Sequence, residues 1–266
     1  MKLSVAVCLL SVAVTAHAQE VVTLSTRPGV TQSYFLARVP QNPQAIALLF
    51  PGAGGFIQLR MEKGQIKFSP NNFLVRSRAE FVKRGVIAAI VDAPSDQQRG
   101  YGMSDEFRLD EQHFTDISAV VADLQKRHPA VAVFLVGTSR GSVSAAALGA
   151  RFGQQLSGVI LTATLFFRSP PRAKEKGPGL SQFDFADIKV PLLFVHHVGD
   201  QCHVTPFGEA ARLAEKYPPI SVFGGLPPQS EECDALSAHG FFGKESETIE
   251  EIVNWMRKRP FRDEVR

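Results

Sequence analysis

Apolar and polar positions divide this chain into short apolar runs and longer segments with helical periodicity. The runs show little polar alternation, which is typical of strands buried on both faces of a parallel sheet. They lie at residues 45–50, 86–91, 131–136, 158–163 and 190–196. We expect further short strands at 21–24, 33–39 and 220–223.

Helical patterns separate the runs. Apolar residues recur three and four positions apart at Ile117, Val120, Val121 and Leu124, and again at Ile249, Ile252, Val253 and Met256. We also expect a helix at 71–84, ended by Gly85, and one that starts with Thr205 as N-cap and Pro206 as its first residue. Strands that alternate with helices predict one α/β domain over 19–266, with a mostly parallel sheet flanked by helices.

The first eighteen residues predict a leader and not part of this domain. Lys2 is followed by an apolar stretch, and Ala16-His17-Ala18 fits a small-residue cleavage site. A mature chain from Gln19, exported to a periplasm or the medium, is expected, with a buried N-terminal helix as the alternative. No later segment predicts a membrane span. The net charge is +3 and no long basic tract occurs, so nothing indicates nucleic-acid binding.

Ser139 is the candidate nucleophile. It lies in Gly137-Thr138-Ser139-Arg140-Gly141, after the apolar run 131–136 and before the small, helix-compatible residues 142–150. A sharp strand-to-helix turn of this kind holds a serine hydroxyl where a base and an electrophile can both reach it. The alternative is a glycine-rich turn whose serine only caps the helix.

Asp200 and His239 are the candidate acid and base. Asp200 directly follows the run 190–196, so we prefer it to Asp234, which is nearer to His239 in sequence. His239 lies in a loop before the last helix, whereas the other histidines of the mature chain fit structural positions better. Those are His113, His128, His196, His197 and His203. The chain order Ser139, Asp200, His239 is the order of a triad on this type of sheet.

With these segments, the chain resembles the α/β-hydrolase superfamily from about residue 21 to 259. The segments that carry the likeness are 137–141, 197–206 and 238–241. The resemblance implies a sheet of about eight strands and acyl transfer through a serine ester, with no metal and no organic cofactor. It also implies an oxyanion hole made by the backbone N–H groups of Arg140 and Ala53, with Gly54 as a further donor. Pro51 stands where the family usually has a histidine.

The mature chain has two cysteines, Cys202 and Cys233. In an exported protein such a pair predicts a disulfide, here one that joins the loop of the acid to the loop of the histidine. Two separate buried thiols are the alternative. The wide spacing, with no second close pair of cysteines, argues against a metal site.

Residues 166–187 contain several prolines, glycines, phenylalanines and basic residues, and they occupy the position of the family's cap. We expect either a short cap over the site or a solvated surface loop. For Arg140, a salt bridge inside the protein is favoured over a contact with an acidic substrate group. The sequence therefore predicts an exported serine hydrolase that cleaves a carboxylic ester or related acyl bond of a small substrate. A peptidase, amidase or acyltransferase with the same triad, or a binding protein without catalysis, are the alternatives.

Overall fold

The structure is a computed structural model that describes residues 19–170 and 177–266. The expected leader, residues 1–18, and the centre of the 166–187 segment therefore lie outside the described residues. In chain order the strands are β1 (Glu20–Arg27), β2 (Val30–Leu36), β3 (Ala45–Phe50), β4 (Arg60–Glu62), β5 (Gln65–Lys67), β6 (Val86–Val91), β7 (Val133–Thr138), β8 (Gly158–Thr162), β9 (Leu192–His197), β10 (Ile220–Val222) and β11 (Glu264–Val265). The α-helices are α1 (Phe73–Arg76), α2 (Arg78–Lys83), α3 (Asp105–Leu109), α4 (Glu111–Arg127), α5 (Gly141–Phe152), α6 (Phe207–Arg212) and α7 (Glu245–Met256).

Within the described part of the chain, the main sheet has nine strands in the order β1-β2-β6-β3-β7-β8-β9-β10-β11. From β6 onward in this order, with β3 included, neighbouring strands pair in parallel. Strands β1 and β2 form an antiparallel edge. The predicted mostly parallel sheet is thus confirmed. The extra strand is β11, two residues after the last helix that pair with β10 and are too short to give an apolar pattern.

Helices cover both faces of this sheet, and successive side chains of the central strands lie on alternate faces. In β3, Ile46 and Leu48 pack in the core that includes α4 and α5. Ala47 and Leu49 pack in the opposite core, which includes α2 and α7. Burial on both faces explains why the strand sequence is apolar without alternation.

Two predicted helices differ from the observed ones. The expected helix 71–84 is split into α1 and α2 at Ser77, whose backbone leaves the helical region with ψ of 0°. At α6, Pro206 occupies the N-cap position, one residue later than expected, and has no side-chain capping bond. The Thr205 hydroxyl, predicted to cap this helix, bonds instead within the site described below.

The candidate residues follow the carboxyl ends of neighbouring strands, where ligands bind in open parallel sheets. The loop from Pro51 follows β3, Ser139 follows β7 and Asp200 lies just after β9. No helix in the described ranges is both long and apolar enough to cross a bilayer.

Candidate active site

Ser139 occupies a strained turn between β7 and α5. Its φ is +52°, a left-handed value that is uncommon for a residue with a side chain. The turn is held by a hydrogen bond from the Ser139 N–H to the Thr162 carbonyl oxygen at 3.0 Å. Strained backbone of this kind persists only where its surroundings fix it, and it is concentrated at functional sites.

Close backbone packing accounts for the glycines on both sides of the serine. A Cβ atom on Gly141 would lie 2.1 Å from the carbonyl oxygen of Phe50, the last residue of β3. A Cβ atom on Gly137 would lie 2.4 Å from the carbonyl oxygen of Gly141. These glycines therefore let the turn approach β3 and close on itself.

Asp200 and His239 are in direct contact. The Oδ2 atom of Asp200 lies 3.0 Å from Nδ1 of His239, and both side chains are buried. A carboxylate can only accept, so Nδ1 carries the proton and Nε2 is the acceptor. The imidazole is thereby fixed as the tautomer that a general base requires.

Thr205 adds a third member to this contact that the sequence analysis missed. Its fully buried hydroxyl donates to Oδ2 of Asp200 at 2.9 Å and lies 3.1 Å from Nδ1 of His239. The other carboxylate oxygen, Oδ1, accepts from the Cys202 N–H at 2.9 Å. Nothing in the local sequence distinguishes this hydroxyl from a helix cap, so only the fold identifies it.

Ser139 and His239 line one cavity of about 390 Å³, which also includes the loop 51–58, Tyr101 and Asp234. The Ser139 hydroxyl makes no hydrogen bond with the described residues. The structure thus joins the candidate acid to the candidate base and places Ser139 at the same cavity. In enzymes without bound substrate, the bond between nucleophile and base is often long and shortens in the complex.

A second cavity, of about 320 Å³, is also lined by the serine. It shares Ala53, Ser139, Cys233 and Asp234 with the first cavity, and it adds Leu165, Ser169 and His203. Ser139 therefore borders two cavities, which suits a substrate with a group on each side of a reacting carbonyl.

The glycine-rich loop after β3 lines the first cavity. The Gly55 N–H closes a turn onto the Gly52 carbonyl oxygen at 3.0 Å. Ala53 has a φ of +50°, so a second strained residue lies beside Ser139. Within the described ranges, the N–H groups of Ala53 and Gly54 donate to no other protein group. They are the donors that the sequence analysis expected for an oxyanion.

Asp92, directly after β6, fixes the next part of this loop. Its buried carboxylate accepts from the N–H groups of Ile57 at 2.7 Å, Leu59 at 2.9 Å and Ala93 at 2.9 Å. Burial raises the pKa of Asp92 to about 6, although the three hydrogen bonds oppose that shift. Its position after an apolar run was a signal that the sequence analysis did not use.

The rival candidates occupy other environments. Asp234 is exposed, lines both cavities and makes no hydrogen bond to His239 in the described part of the chain. His113 bonds Ser144, His196 bonds Thr164 and His197 bonds the Gly224 carbonyl oxygen. His203 is exposed and lines the second cavity.

The Arg140 side chain forms a buried ion pair with Asp105 and donates to Ser169 Oγ at 2.7 Å. Of the 166–187 segment, Arg172, Lys174 and Lys176 lie outside the described residues. Phe166, Phe183 and Phe185 pack with one another and with the core, and they line neither cavity at Ser139.

Cys202 and Cys233 form a disulfide, with Cα atoms 4.7 Å apart. It joins the loop of Asp200 to the segment before His239. The ligand atoms of Cys202, His203 and Cys233 lie within 4.8 Å of one another. Both sulfurs are bonded to each other, so only the imidazole remains as a ligand and the set does not fit a metal ion.

Comparison with known proteins points to one fold. A family model described as serine aminopeptidase S33 matches residues 78–183, less than half of the chain. The search of curated proteins found no match. Among solved structures, an α/β serine hydrolase without a lid from Xanthomonas campestris is 14% identical, with a TM-score of 0.56, covering 91% of this chain and 97% of its own.

Two further structures agree. Est1E from Butyrivibrio proteoclasticus is 14% identical with a TM-score of 0.54, covering 90% of this chain and 96% of its own. An α/β serine hydrolase homologue from Coxiella burnetii is 14% identical with a TM-score of 0.55, with the same coverage of 90% and 96%. With the nine-stranded, mostly parallel sheet and the turn at Ser139, these likenesses show that the chain has the α/β-hydrolase fold.

Proposed function

We propose that this chain is a serine hydrolase that cleaves a carboxylic ester or related acyl bond of a small substrate. The observation that carries the proposal is the buried contact between Asp200 and His239 beside the cavity that Ser139 lines. A carboxylate that holds an imidazole by Nδ1 leaves Nε2 able to take a proton from a serine.

In this mechanism Ser139 Oγ attacks the substrate carbonyl carbon while His239 Nε2 takes the hydroxyl proton. Asp200 stabilises the imidazolium and stays ionised. His239 then gives the proton to the leaving alcohol, and an ester of Ser139 remains. Water then hydrolyses this ester by the same steps. His239 removes a proton from the water, and the hydroxyl attacks the acyl carbon. The carboxylic acid leaves as His239 returns the proton to Ser139.

The carbonyl oxygen becomes negative in each tetrahedral intermediate. The backbone N–H groups of Ala53, Gly54 and Arg140 are the proposed donors to it. Donors already in position stabilise such a charge without reorganising, and loss of one typically lowers the rate about 100- to 1,000-fold.

An ester is the preferred bond because esterases occur among the structural neighbours. One solved neighbour is a cold-adapted esterase from an Arctic metagenomic library, and Est1E also appears with ferulic acid bound. A peptidase or amidase is the second candidate, since the matching family model is described as a serine aminopeptidase. Parallel assays with an ester and an amide of the same acyl group separate the two.

We also propose that the protein is exported after removal of residues 1–18. The disulfide between Cys202 and Cys233 supports this, because such bonds persist in oxidising compartments. N-terminal sequencing of the protein from a fractionated bacterial host tests it. A start at Gln19 in the periplasmic fraction supports export, and an intact Met1 in the cytoplasm contradicts it.

The main test uses Ser139→Ala with a small p-nitrophenyl ester and a fluorophosphonate probe. We expect the wild-type chain to turn over the ester and to be labelled, and Ser139→Ala to do neither while it melts at a similar temperature. Ser118→Ala, on the distant helix α4, is the matched control and should keep both properties. Turnover retained by Ser139→Ala would remove the serine assignment, and an unlabelled wild-type chain would favour a binding protein without catalysis.

A further inference from the structure

Arg108 is the largest side chain that is fully buried in the described part of the chain. It belongs to the short helix α3, and among the described contacts of its guanidinium are one backbone and one side-chain group. Nη2 donates to the carbonyl oxygen of Ala53 at 2.8 Å, and Nη1 donates to Ser144 Oγ at 2.8 Å. Burial of a charged group costs free energy unless the group is hydrogen-bonded. Hydrogen bonds from a charged guanidinium are also stronger than those between neutral groups.

Residues 101–103, just before α3, pack against the loop that Arg108 contacts. The Met103 N–H donates to the Gly54 carbonyl oxygen at 2.9 Å. A Cβ atom on Gly54 would lie 1.7 Å from the Tyr101 carbonyl oxygen, and one on Gly55 would lie 2.9 Å from Nη2 of Arg108. The loop 52–55 is therefore enclosed by residues 101–108.

The bond to Ala53 acts on a specific peptide group. The Ala53 carbonyl and the Gly54 N–H belong to the same peptide unit, so a guanidinium that fixes the carbonyl also fixes the direction of the N–H. Hydrogen bonds in series polarise one another, so a charged donor on the carbonyl strengthens the N–H as a donor. The positive φ of Ala53 also needs such external support.

The same helix supports the other side of the site. Asp105, the first residue of α3, pairs with the guanidinium of Arg140 and also accepts from the Gly179 N–H at 2.8 Å. Arg140 follows Ser139 and provides the other proposed oxyanion donor. One residue of this five-residue helix, Arg108, thus holds the backbone at Ala53, and another, Asp105, holds the side chain of Arg140, whose N–H is the other proposed donor.

We infer that α3 is the support of the oxyanion hole and that Arg108 is a positioning residue for the Ala53–Gly54 peptide. The inference rests on the proposed function. Arg108 touches no substrate; it holds and polarises a peptide whose N–H stabilises the developing charge. Its loss should therefore weaken binding of the transition state and leave ground-state binding largely intact.

The test compares Arg108→Met and Arg108→Lys with the wild-type chain. Methionine removes both donors, and lysine keeps the charge but loses the planar fork that reaches Ala53 and Ser144 together. We expect kcat for a p-nitrophenyl ester to fall about 10- to 100-fold in Arg108→Met, with KM changed less than about twofold. In Arg108→Lys, kcat should fall about tenfold. This variant replaces Arg108→Met in the test if the methionine variant does not fold.

Ser144→Ala is the matched control, because it removes the bond between Arg108 and Ser144 and leaves the bond to Ala53. It should lower the melting temperature with little effect on kcat. The decisive measurement is the inhibition constant of a boronic acid, which forms a tetrahedral adduct with a serine. That constant should rise by the same factor as kcat falls, while the inhibition constant of the product alcohol stays constant.

The outcomes separate this inference from the proposed function. If the folded Arg108 variants match the wild-type chain within twofold in kcat and in boronic acid affinity, the inference is wrong and the serine hydrolase stands. If the wild-type chain is not labelled by a fluorophosphonate, the proposed function fails and this inference fails with it. A loss of kcat equal in Arg108→Met and Ser144→Ala would show a general packing effect and would also overturn it.

Discussion

The hydroxyl of Thr205 donates a hydrogen bond to Oδ2 of Asp200 at 2.9 Å. The same oxygen accepts from His239 Nδ1, so one carboxylate oxygen has two donors and a fixed position. A hydrogen bond to a charged group contributes about 1.5–3 kcal/mol. Thr205 therefore orients Asp200, and through Asp200 it orients His239.

Replacing Thr205 by valine should lower kcat about tenfold with little change in KM. Valine keeps the branched shape but leaves Asp200 with one donor fewer, so the imidazole gains freedom in the reacting complex. Steady-state kinetics with a p-nitrophenyl ester measure the effect. Thr205→Ser keeps the hydroxyl and should recover most of the rate. Equal rates in the valine and serine variants would limit Thr205 to a packing role.

Asp200 and Asp234 form a matched pair of carboxylates, because both are near His239 and only Asp200 bonds it. Asp200→Asn should reduce kcat by a factor on the order of 10,000, since an amide favours the wrong tautomer of the imidazole, as in the serine-protease precedent. Asp234→Asn should change kcat for a neutral ester less than about threefold. The reverse ranking in the same assay would move the acid to Asp234.

How far the sequence predicts this molecule depends on the range of the interactions involved. The strands were predictable because burial on both faces makes them apolar within one window, as in β3. Asp200 and His239 could be chosen as candidates because a strand end and a loop before the last helix are visible locally, and the structure brings the two side chains into contact. Thr205 was misplaced as a helix cap, because its partner His239 lies 34 positions away.

The segment between β6 and α4 shows the opposite limit. Its polar sequence gave no helix in the sequence analysis, yet it contains α3 with the buried Asp105 and Arg108. Charged residues normally indicate a solvated surface. They are buried here because they pair with Arg140 and with the Ala53 carbonyl oxygen. These partners belong to distant segments, so the local sequence does not reveal them.

Loss of the disulfide should reduce both stability and activity. The bond closes a loop with a sequence separation of 31 and ties Cys202, whose N–H holds Asp200, to the segment before His239. The chain-entropy model gives about 3–4 kcal/mol for such a loop. Cys202→Ala/Cys233→Ala should melt on the order of 10 °C lower and turn over ester more slowly. Equal melting and activity with and without reductant, with reduction confirmed by thiol titration, would contradict this.

Buried titratable groups predict how stability changes between about pH 4.5 and 6. Burial lowers the pKa of His113 and of His196 to about 3, and it raises the pKa of Asp92 to about 6. In this range the unfolded chain binds two histidine protons that the native chain lacks, and the native chain binds one Asp92 proton that the unfolded chain lacks. The free energy of unfolding should therefore fall by about 1.4 kcal/mol per unit as pH decreases.

Asp92→Asn offers a control for that sign. The variant removes the group whose stabilising contribution grows as pH falls, so the histidines act unopposed and the slope should about double. Urea unfolding at several pH values measures both slopes. A wild-type stability that is constant across the range, or a shallower slope in Asp92→Asn, would contradict the assignment of these groups.

Gly141→Ala tests whether the close packing of β3 against the turn at Ser139 controls the geometry of the site. An added Cβ atom would lie 2.1 Å from the Phe50 carbonyl oxygen, so β3 and its loop must move away from the serine. We expect a loss of at least about 100-fold in kcat, because the donors at 53–54 move with that strand. Gly208→Ala, within α6, meets nothing within 4 Å and should keep full activity, with up to about 1 kcal/mol of added stability. Full activity in Gly141→Ala would mean that the packing of β3 against the turn does not control the geometry of the site.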